Sequence, residues 1–299
     1  MLDFKLKPLD KYMSRRGLVE LRANQPGELW LEIDGEGSKA VKTPELDTDF
    51  WEGLARALSN ELNILDFWKK PYLRASLPGG HRLQLVMGRT VASGLGVSIR
   101  IKRSIDRTLE DFGATSDQAE RIAAAVKAKK NILVSGGMFS GKTTLLRVIA
   151  QMLPRGDRLV TVEDNPELDP DHMPDRVEFI VNPLGTDEDI SYKDVLDALT
   201  RLRPDRIWVG ELNLANTWIL LRVLNLGHGG LGGTIHANSP RMALRACVQN
   251  CEFAGYPAAA ARAAFADTLD MIIQVHRIEG TYRRQITDIW ELDHEQPDP

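Results

Sequence analysis

The run Asn131–Ala150, NILVSGGMFSGKTTLLRVIA, contains the spacing Gly136-x-x-x-x-Gly141-Lys142-Thr143. Glycines at both ends let the backbone turn its N–H groups inward around a polyphosphate held at a helix N-terminus. Lys142 is the side chain placed to meet the β- and γ-phosphates, and the Thr143 hydroxyl is the one to ligate Mg²⁺. Gly136, Gly137, Ser140, Gly141 and Thr144 complete the expected nucleotide-contacting set. A glycine-rich turn with an exposed lysine is the bland alternative. The apolar strand Asn131–Val134 before the loop and the helical spacing of Lys142–Ala150 after it disfavour that alternative.

Three further clusters follow, each at the end of a predicted strand, where open α/β sheets bind their ligands. In Thr161-Val162-Glu163-Asp164-Asn165-Pro166-Glu167-Leu168, Glu163 or Asp164 could orient water or hold metal-bound water beside the γ-phosphate, although a solvated acidic turn fits the local sequence equally well. In Arg201-Leu202-Arg203-Pro204-Asp205-Arg206-Ile207-Trp208-Val209-Gly210-Glu211, an apolar strand ends in a carboxylate. Gly210 stands where many P-loop ATPases carry Asp, which leaves Glu211 as the candidate for positioning or activating water. Arg201 and Arg203, just before that strand, are candidate phosphate clamps for this or a neighbouring subunit, or simply cations at a helix C-terminus. In Asn225–Asn238 five glycines within seven residues suggest a mobile backbone, and His236 at the following strand end could sense the γ-phosphate, touch Glu211, or be an ordinary hydrogen-bonded histidine.

The elements that must carry these residues alternate. Helix 117–130, capped by Ser116, precedes the P-loop strand; then come strands Arg158–Val162 and Val177–Val181, helix Tyr192–Leu202, strand Arg206–Val209, helix Leu214–Leu226, strand Gly233–His236 and helix Pro240–Phe253. Such alternation implies a mainly parallel sheet with helices on its faces. MIIQVHRI and QITDIWEL read as a closing antiparallel hairpin, and HEQPDP as a frayed tail. Upstream, 18–33 alternates around Gln25-Pro26-Gly27-Glu28 as a hairpin; Asp47–Leu65 is an amphipathic helix; YLRASL and RLQLVM flank a second hairpin turn; Gly96–Lys102 adds a strand. The expected division is an α+β domain over 1–103, a polar linker and hinge over 104–116, and an α/β domain over 117–299.

With 299 residues, 43% hydrophobic and 27% charged, the chain has ample core to fold without staples. Its formal charge of −4 argues against a dedicated nucleic-acid binder. Cys247 and Cys251 lack partners at metal-ligand spacing and are expected to be reduced, small apolar residues. The N-terminus mixes charges throughout and no run approaches a membrane span, so neither a signal peptide nor an anchor is expected.

Taken together, GGMFSGKTT, TVEDNPEL, RLRPDRIWVGE and GGTIHANSP, in this order, resemble the Walker A, Asp box, Walker B and His box of the type II/type IV secretion traffic ATPases. PGELWLE, PYLRASLPGGHRLQLV and VSIRIK are similar to the N-terminal domain of the VirB-type and conjugal-transfer (TrbB-like) branch, so the resemblance spans nearly the whole chain. It implies a RecA-like P-loop ATPase domain behind a small α+β domain, ATP and Mg²⁺ as ligands, and a homohexameric ring. It further implies Lys142 and Thr143 on nucleotide and metal, Glu163 in the Asp box, Glu211 in Walker B, His236 in the His box, and Arg100 or Arg103 reaching the nucleotide from the N-terminal domain. The implied work is substrate translocation or pilus assembly at the cytoplasmic face of the inner membrane. The implied partners are other secretion or conjugation components, a coupling protein among them, and a protein or DNA–protein substrate. A pilus extension or retraction motor, a nucleotide-gated scaffold with little turnover and a nucleic-acid translocase are the rivals. Two departures stand out: Leu212-Asn213 follows VGE where the family usually shows an arginine, and NLGHGGLGG lacks the common serine or threonine.

Overall fold

The structure, a computed structural model, describes residues 2–34, 36–62, 64, 67–102, 107–181, 190–225, 227–279, 281 and 283–292. The expected frayed tail and Arg103 lie outside the described residues. Contacts group the chain into two units, Met1–Ser104 and Ile105–Pro299.

The first unit contains α1 (Leu2–Met13), β1 (Leu18–Ala23), β2 (Glu28–Ile33), β3 (Gly37–Lys42), α2 (Thr48–Glu61), β4 (Tyr72–Leu77), β5 (His81–Met87) and β6 (Leu95–Arg100). Its strands form an antiparallel sheet in the order β3-β2-β1-β6-β5-β4. Strict alternation sets the faces: Leu29, Leu31 and Ile33 are buried, while Glu28, Trp30 and Glu32 are only half-buried on the other side. Asp47 starts α2 by accepting the Phe50 N–H at 2.9 Å, and the helix buries Trp51, Leu54 and Leu58 on the core. Two elements escape the sequence patterns. Among the described side chains of helix α1 the buried ones are Leu6 and Leu9, set among lysines, with Pro8 inside the helix, and the edge strand β3 buries little besides Gly37.

The second unit contains α3 (Ser116–Lys127), β7 (Ile132–Gly136), α4 (Lys142–Ala150), β8 (Leu159–Glu163), β9 (Arg176–Ile180), α5 (Tyr192–Leu202), β10 (Arg206–Leu212), α6 (Thr217–Asn225), β11 (Leu231–His236), α7 (Pro240–Phe253), α8 (Ala258–Thr268), β12 (Met271–Arg277) and β13 (Arg284–Glu291). Its sheet runs β13-β12-β7-β11-β10-β8-β9, with β13 antiparallel to β12 and the other described pairs parallel. The central strands are apolar on both faces because helices cover both.

The structure differs from expectation at three places. Residues 108–114 are not a free polar connector: Leu109 and Phe112 are buried with Ile122, Val126 and Ile286 in the second unit's core. Thr115, not Ser116, caps α3, in a reciprocal capping box with Gln118. The alanine-rich α8 has too small an apolar stripe to be legible, yet buries Ala261 and Phe265. Cys247 and Cys251 are free thiols buried in α7. Among the described residues no helix is long and apolar enough to cross a membrane.

Candidate nucleotide site

In chain order the four motifs end or follow β7, β8, β10 and β11, but in the sheet these strands lie in the order β7-β11-β10-β8. Parallel pairing brings all four C-terminal ends to one edge. Lys142, His236, Glu211 and Glu163 therefore stand along that edge in this sequence, so residues far apart in the chain become neighbours.

The P-loop joins β7 to α4. Gly141 has φ +90°, a left-handed conformation that opens the loop into the helix, and a Cβ there would lie 3.2 Å from Arg284 Cγ. A Cβ on Gly136 would lie 2.5 Å from the Val275 carbonyl oxygen, so this turn admits no side chain. The Ser140 hydroxyl is buried with no hydrogen-bond partner among the described residues. A side-chain-free cradle, an orphaned hydroxyl and the exposed backbone N–H groups at a helix start fit a polyphosphate. Thr143 and Thr144 occupy the first turn of α4.

Lys142 is only 6% exposed; its ammonium donates to the Gly137 carbonyl at 3.0 Å and to His236 Nδ1 at 3.0 Å. On its other side His236 Nε2 lies 3.1 Å from Glu211 Oε1. A ring that accepts at Nδ1 and donates at Nε2 is the neutral, Nε2-protonated imidazole. His236 thus links the P-loop cation to the Walker B carboxylate. The side chains of His236 and Glu211 are 44% and 47% exposed, which leaves both open to an incoming ligand.

Glu163 is only 3% exposed, and its Oε1 accepts the N–H groups of Glu167 and Leu168, each at 2.9 Å. It holds the acidic loop in place instead of sitting on a solvated turn. A Cβ on Gly210 would lie 3.0 Å from Glu163 Cγ, so the missing Walker B aspartate is explained by space: the Glu163 carboxyl fills it. Asp164 accepts a short hydrogen bond from the Tyr192 hydroxyl. Burial, then the Asp164 carboxylate, push the Tyr192 phenol well above its ordinary range. Of the strand-end acids, Glu211 is the one left facing solvent.

Several supporting residues carried no signal in the sequence. Gln274 on β12 is buried; it accepts a short hydrogen bond from Ser135 and donates to the Ala237 carbonyl at 3.2 Å, tying the P-loop strand to the residue after His236. Asn216 donates to the Glu211 carbonyl at 2.8 Å and accepts the Asn213 N–H at 2.9 Å, so the departure at Asn213 serves the entry to α6. Arg147 on α4 pairs with Asp169 at 2.8 Å; burial pulls its pKa down and Asp169, Glu167 and Glu163 oppose that. Each belongs to a common residue type with no local motif, and only the fold brings it to the site.

Other expected residues are not brought together. Arg201 is exposed and pairs with Asp197 at 3.0 Å, while Arg203 ends α5 at φ +51°. Both precede β10, and Glu211 lies five residues along that strand from Arg206, about 17 Å at the usual rise. They stand at the opposite sheet edge from their own P-loop. Arg100 ends β6 in the first unit, where Arg82 on β5 lies directly opposite it. On the other side of Arg100, Glu20 on β1 lies directly opposite it, a counter-charge beside the like-charged pair. Two of the glycines are packed closely: a Cβ on Gly232, inside β11, would lie 2.5 Å from Trp208, and one on Gly230, just before it, 2.7 Å from Arg206 Cδ, whereas Gly227 has open space around it.

Comparison with known proteins places the same segments in one family. Residues 54–272 match the family described as "Type II/IV secretion system protein". The type IV secretion system protein PtlH of Bordetella pertussis is 31% identical, over 98% of this chain and 95% of its own. The type IV secretion system protein VirB11 of Bartonella quintana is 28% identical, over 96% and 91%. The crystal structure of the VirB11 ATPase from the Brucella suis type IV secretion system is similar at 26% identity and TM-score 0.53, covering 97% of this chain and 94% of that one.

Proposed function

The chain belongs to the type II/IV secretion system protein family and is an ATPase, and from that premise we propose that it works as a hexameric motor of a type IV secretion or conjugative DNA-transfer system. ATP hydrolysis would power substrate translocation or pilus assembly, at the cytoplasmic face of the inner membrane and in contact with that system's membrane components and translocated substrate. The observation that carries this is the unbroken path Lys142–His236–Glu211 along one sheet edge.

Each residue then has a task. Lys142 neutralises the β- and γ-phosphates; Ser140, Gly137 and the loop backbone hold them; Thr143 is the residue to ligate Mg²⁺, which when bound supplies further charge neutralisation. Phosphate oxygens compete with His236 Nδ1 and the Gly137 carbonyl for the Lys142 ammonium. Nucleotide binding therefore frees the His236 ring, and its Nε2–H stays with Glu211. Glu211 accepts a hydrogen bond from the water that attacks in line, and Glu163 fixes the adjoining acidic loop. Arg100 or Arg103 would supply a cation to the nucleotide, and Arg201 and Arg203 would act only across a subunit boundary. An arginine finger is worth roughly 10³–10⁵ in rate, so turnover would depend on assembly.

The test is Mg²⁺-dependent ATP hydrolysis against protein concentration, with mass determined at each concentration, for wild type and Glu211→Gln. Specific activity that rises with hexamer formation and is lost in the variant is the expected result. An assembled ring that binds ATP tightly without turning it over would overturn the motor and leave a nucleotide-gated scaffold.

A further inference from the structure

The strand that carries the P-loop, β7, has neighbours on both sides. On one side β11, β10 and β8 bring His236, Glu211 and Glu163 to the loop's edge of the sheet, and on the other lie β12 and β13. β12 pairs with β7 from Met271↔Ile132 to Gln274↔Ser135 and then runs on to Arg277, past the end of β7 at Gly136. β13 starts at Arg284, directly opposite Arg277, so this hairpin stands beside the loop. Arg277 donates to the Thr281 carbonyl at 2.9 Å, within the hairpin itself. The half-buried Arg284 lies against the P-loop: a Cβ on Gly141 would stand 3.2 Å from its Cγ and 3.5 Å from its Nε. The buried Phe112 meets the same glycine position at 3.5 Å and shares a core with Ile286, two residues along β13, so packing fixes where Arg284 starts. Gly141 is the N-cap of α4 and Lys142 its first residue. Two cations thus gather at the positive end of one helix, where anions are favoured and cations are not, and a polyphosphate placed there meets both.

We infer that Arg284 is a further nucleotide-binding residue, which holds the α-phosphate end of the ligand. The inference rests on the P-loop being the polyphosphate site. With the γ-phosphate directed at His236 and Glu211, the α-phosphate and the nucleoside lie on the opposite side of the loop, where β13 places the Arg284 side chain. ATP and ADP share that end. A contact made there is equal in the ground and transition states, so it acts on affinity and leaves the chemical step alone. Guanidinium–phosphate hydrogen bonds are of the strong, charge-assisted kind, and losing one weakens binding by about ten- to a hundredfold.

Arg284→Gln and Arg284→Glu introduce side chains of nearly equal size that differ in charge. Affinity for a fluorescent ADP analogue and kinetics of ATP hydrolysis, measured on the assembled full-length protein, should show the Kd for ADP and the KM for ATP raised together by about tenfold or more in Arg284→Gln, with kcat within about twofold of wild type. Arg284→Glu should bind more weakly still, because a carboxylate there repels phosphate. Arg284→Lys keeps the charge and the stem but loses the planar fork, so its affinity should fall by only about threefold. Wild-type ADP affinity in Arg284→Gln (or, should that variant fail to fold, in Arg284→Lys) overturns the inference. Equal affinities in the Gln and Glu variants, the mark of a packing role, overturn it as well, and so does a fall in kcat at unchanged KM. Lys142→Ala in the same binding assay separates the two levels. If it loses ADP while Arg284→Gln binds like wild type, only the role of Arg284 is refuted, whereas wild-type ADP affinity in Lys142→Ala removes the premise with it.

Discussion

Replacing Gly210 by alanine adds one methyl group where the Glu163 side chain already sits. The new Cβ would lie 3.0 Å from Glu163 Cγ and 3.1 Å from Oε1. Comfortable carbon–carbon contact is roughly 3.5–4.0 Å, so about half an ångström or more must open. Glu163 cannot retreat freely, because Oε1 is held by the Glu167 and Leu168 N–H groups at 2.9 Å. Overpacking of this kind costs about 1–3 kcal/mol. Taking about 2 kcal/mol, the second unit should melt roughly 4–8 °C lower. Turnover should fall by about tenfold or more as the acidic loop shifts. Circular-dichroism melting and coupled ADP release measure both. In the double variant Gly210→Ala/Glu163→Ala the side chain at 163 ends at Cβ, 3.5 Å from the new methyl, so the crowding is gone and the double variant should melt no lower than Glu163→Ala alone, while activity stays low because the two N–H groups have lost their carboxylate. A Gly210→Ala protein that melts and turns over like wild type would refute the claim that Glu163 occupies the missing aspartate's space.

Gln274→Leu strands the Ala237 carbonyl and the Ser135 hydroxyl in a buried site; at about 1–3 kcal/mol for each unsatisfied group the melting temperature should fall clearly, and nucleotide affinity should weaken with the P-loop strand, whereas unchanged melting would contradict the tie. Burial pushes the Cys251 thiol up to about 11 and Cys247 higher still, so neither should react with a thiol reagent near neutral pH until the protein unfolds, and rapid labelling of the native protein would count against their burial. Burial also holds the His172 pKa below its ordinary value. The unfolded chain then takes up that proton first, so stability is full above about pH 6.5 and declines as pH falls through the unfolded and then the folded pKa. His172→Gln should flatten that step in a series of melts from neutral to mildly acidic pH, and an unchanged slope would contradict the assignment.

The alternating elements of the second unit and the four motifs were legible because each rests on local periodicity or on spacing within a few residues. Helices α4, α5 and α7 begin and end where the apolar spacing places them. What could not be read is what the sheet order decides. Nothing local to His236 says that β11 lies between β7 and β10, so contact with Glu211 was one option among several and contact with Lys142 was not foreseen. Gly210 looked like a loss of an acid, and only packing shows that Glu163 fills its place. The run of glycines around the start of β11 reads as freedom, yet Gly230 and Gly232 have no room for a side chain because Arg206 and Trp208 approach them. Leu109 and Phe112, two apolar residues in a polar stretch, were too few to signal that this stretch belongs to the core. Tyr192 and Gln274 bond groups 28 and 37 positions away, and Asn216 bonds the main-chain carbonyl of Glu211, so none of the three leaves a motif.

The link at the centre of the site is the His236 ring, and ¹⁵N NMR of histidine-labelled, nucleotide-free protein reads it directly, with His236→Gln supplying the assignment. A neutral ring protonated at Nε2 at neutral pH, whose Nδ1 signal shifts when Mg²⁺ and a non-hydrolysable ATP analogue draw Lys142 away, is the predicted result. A ring protonated at Nδ1, or one whose signals ignore the nucleotide, would contradict the account.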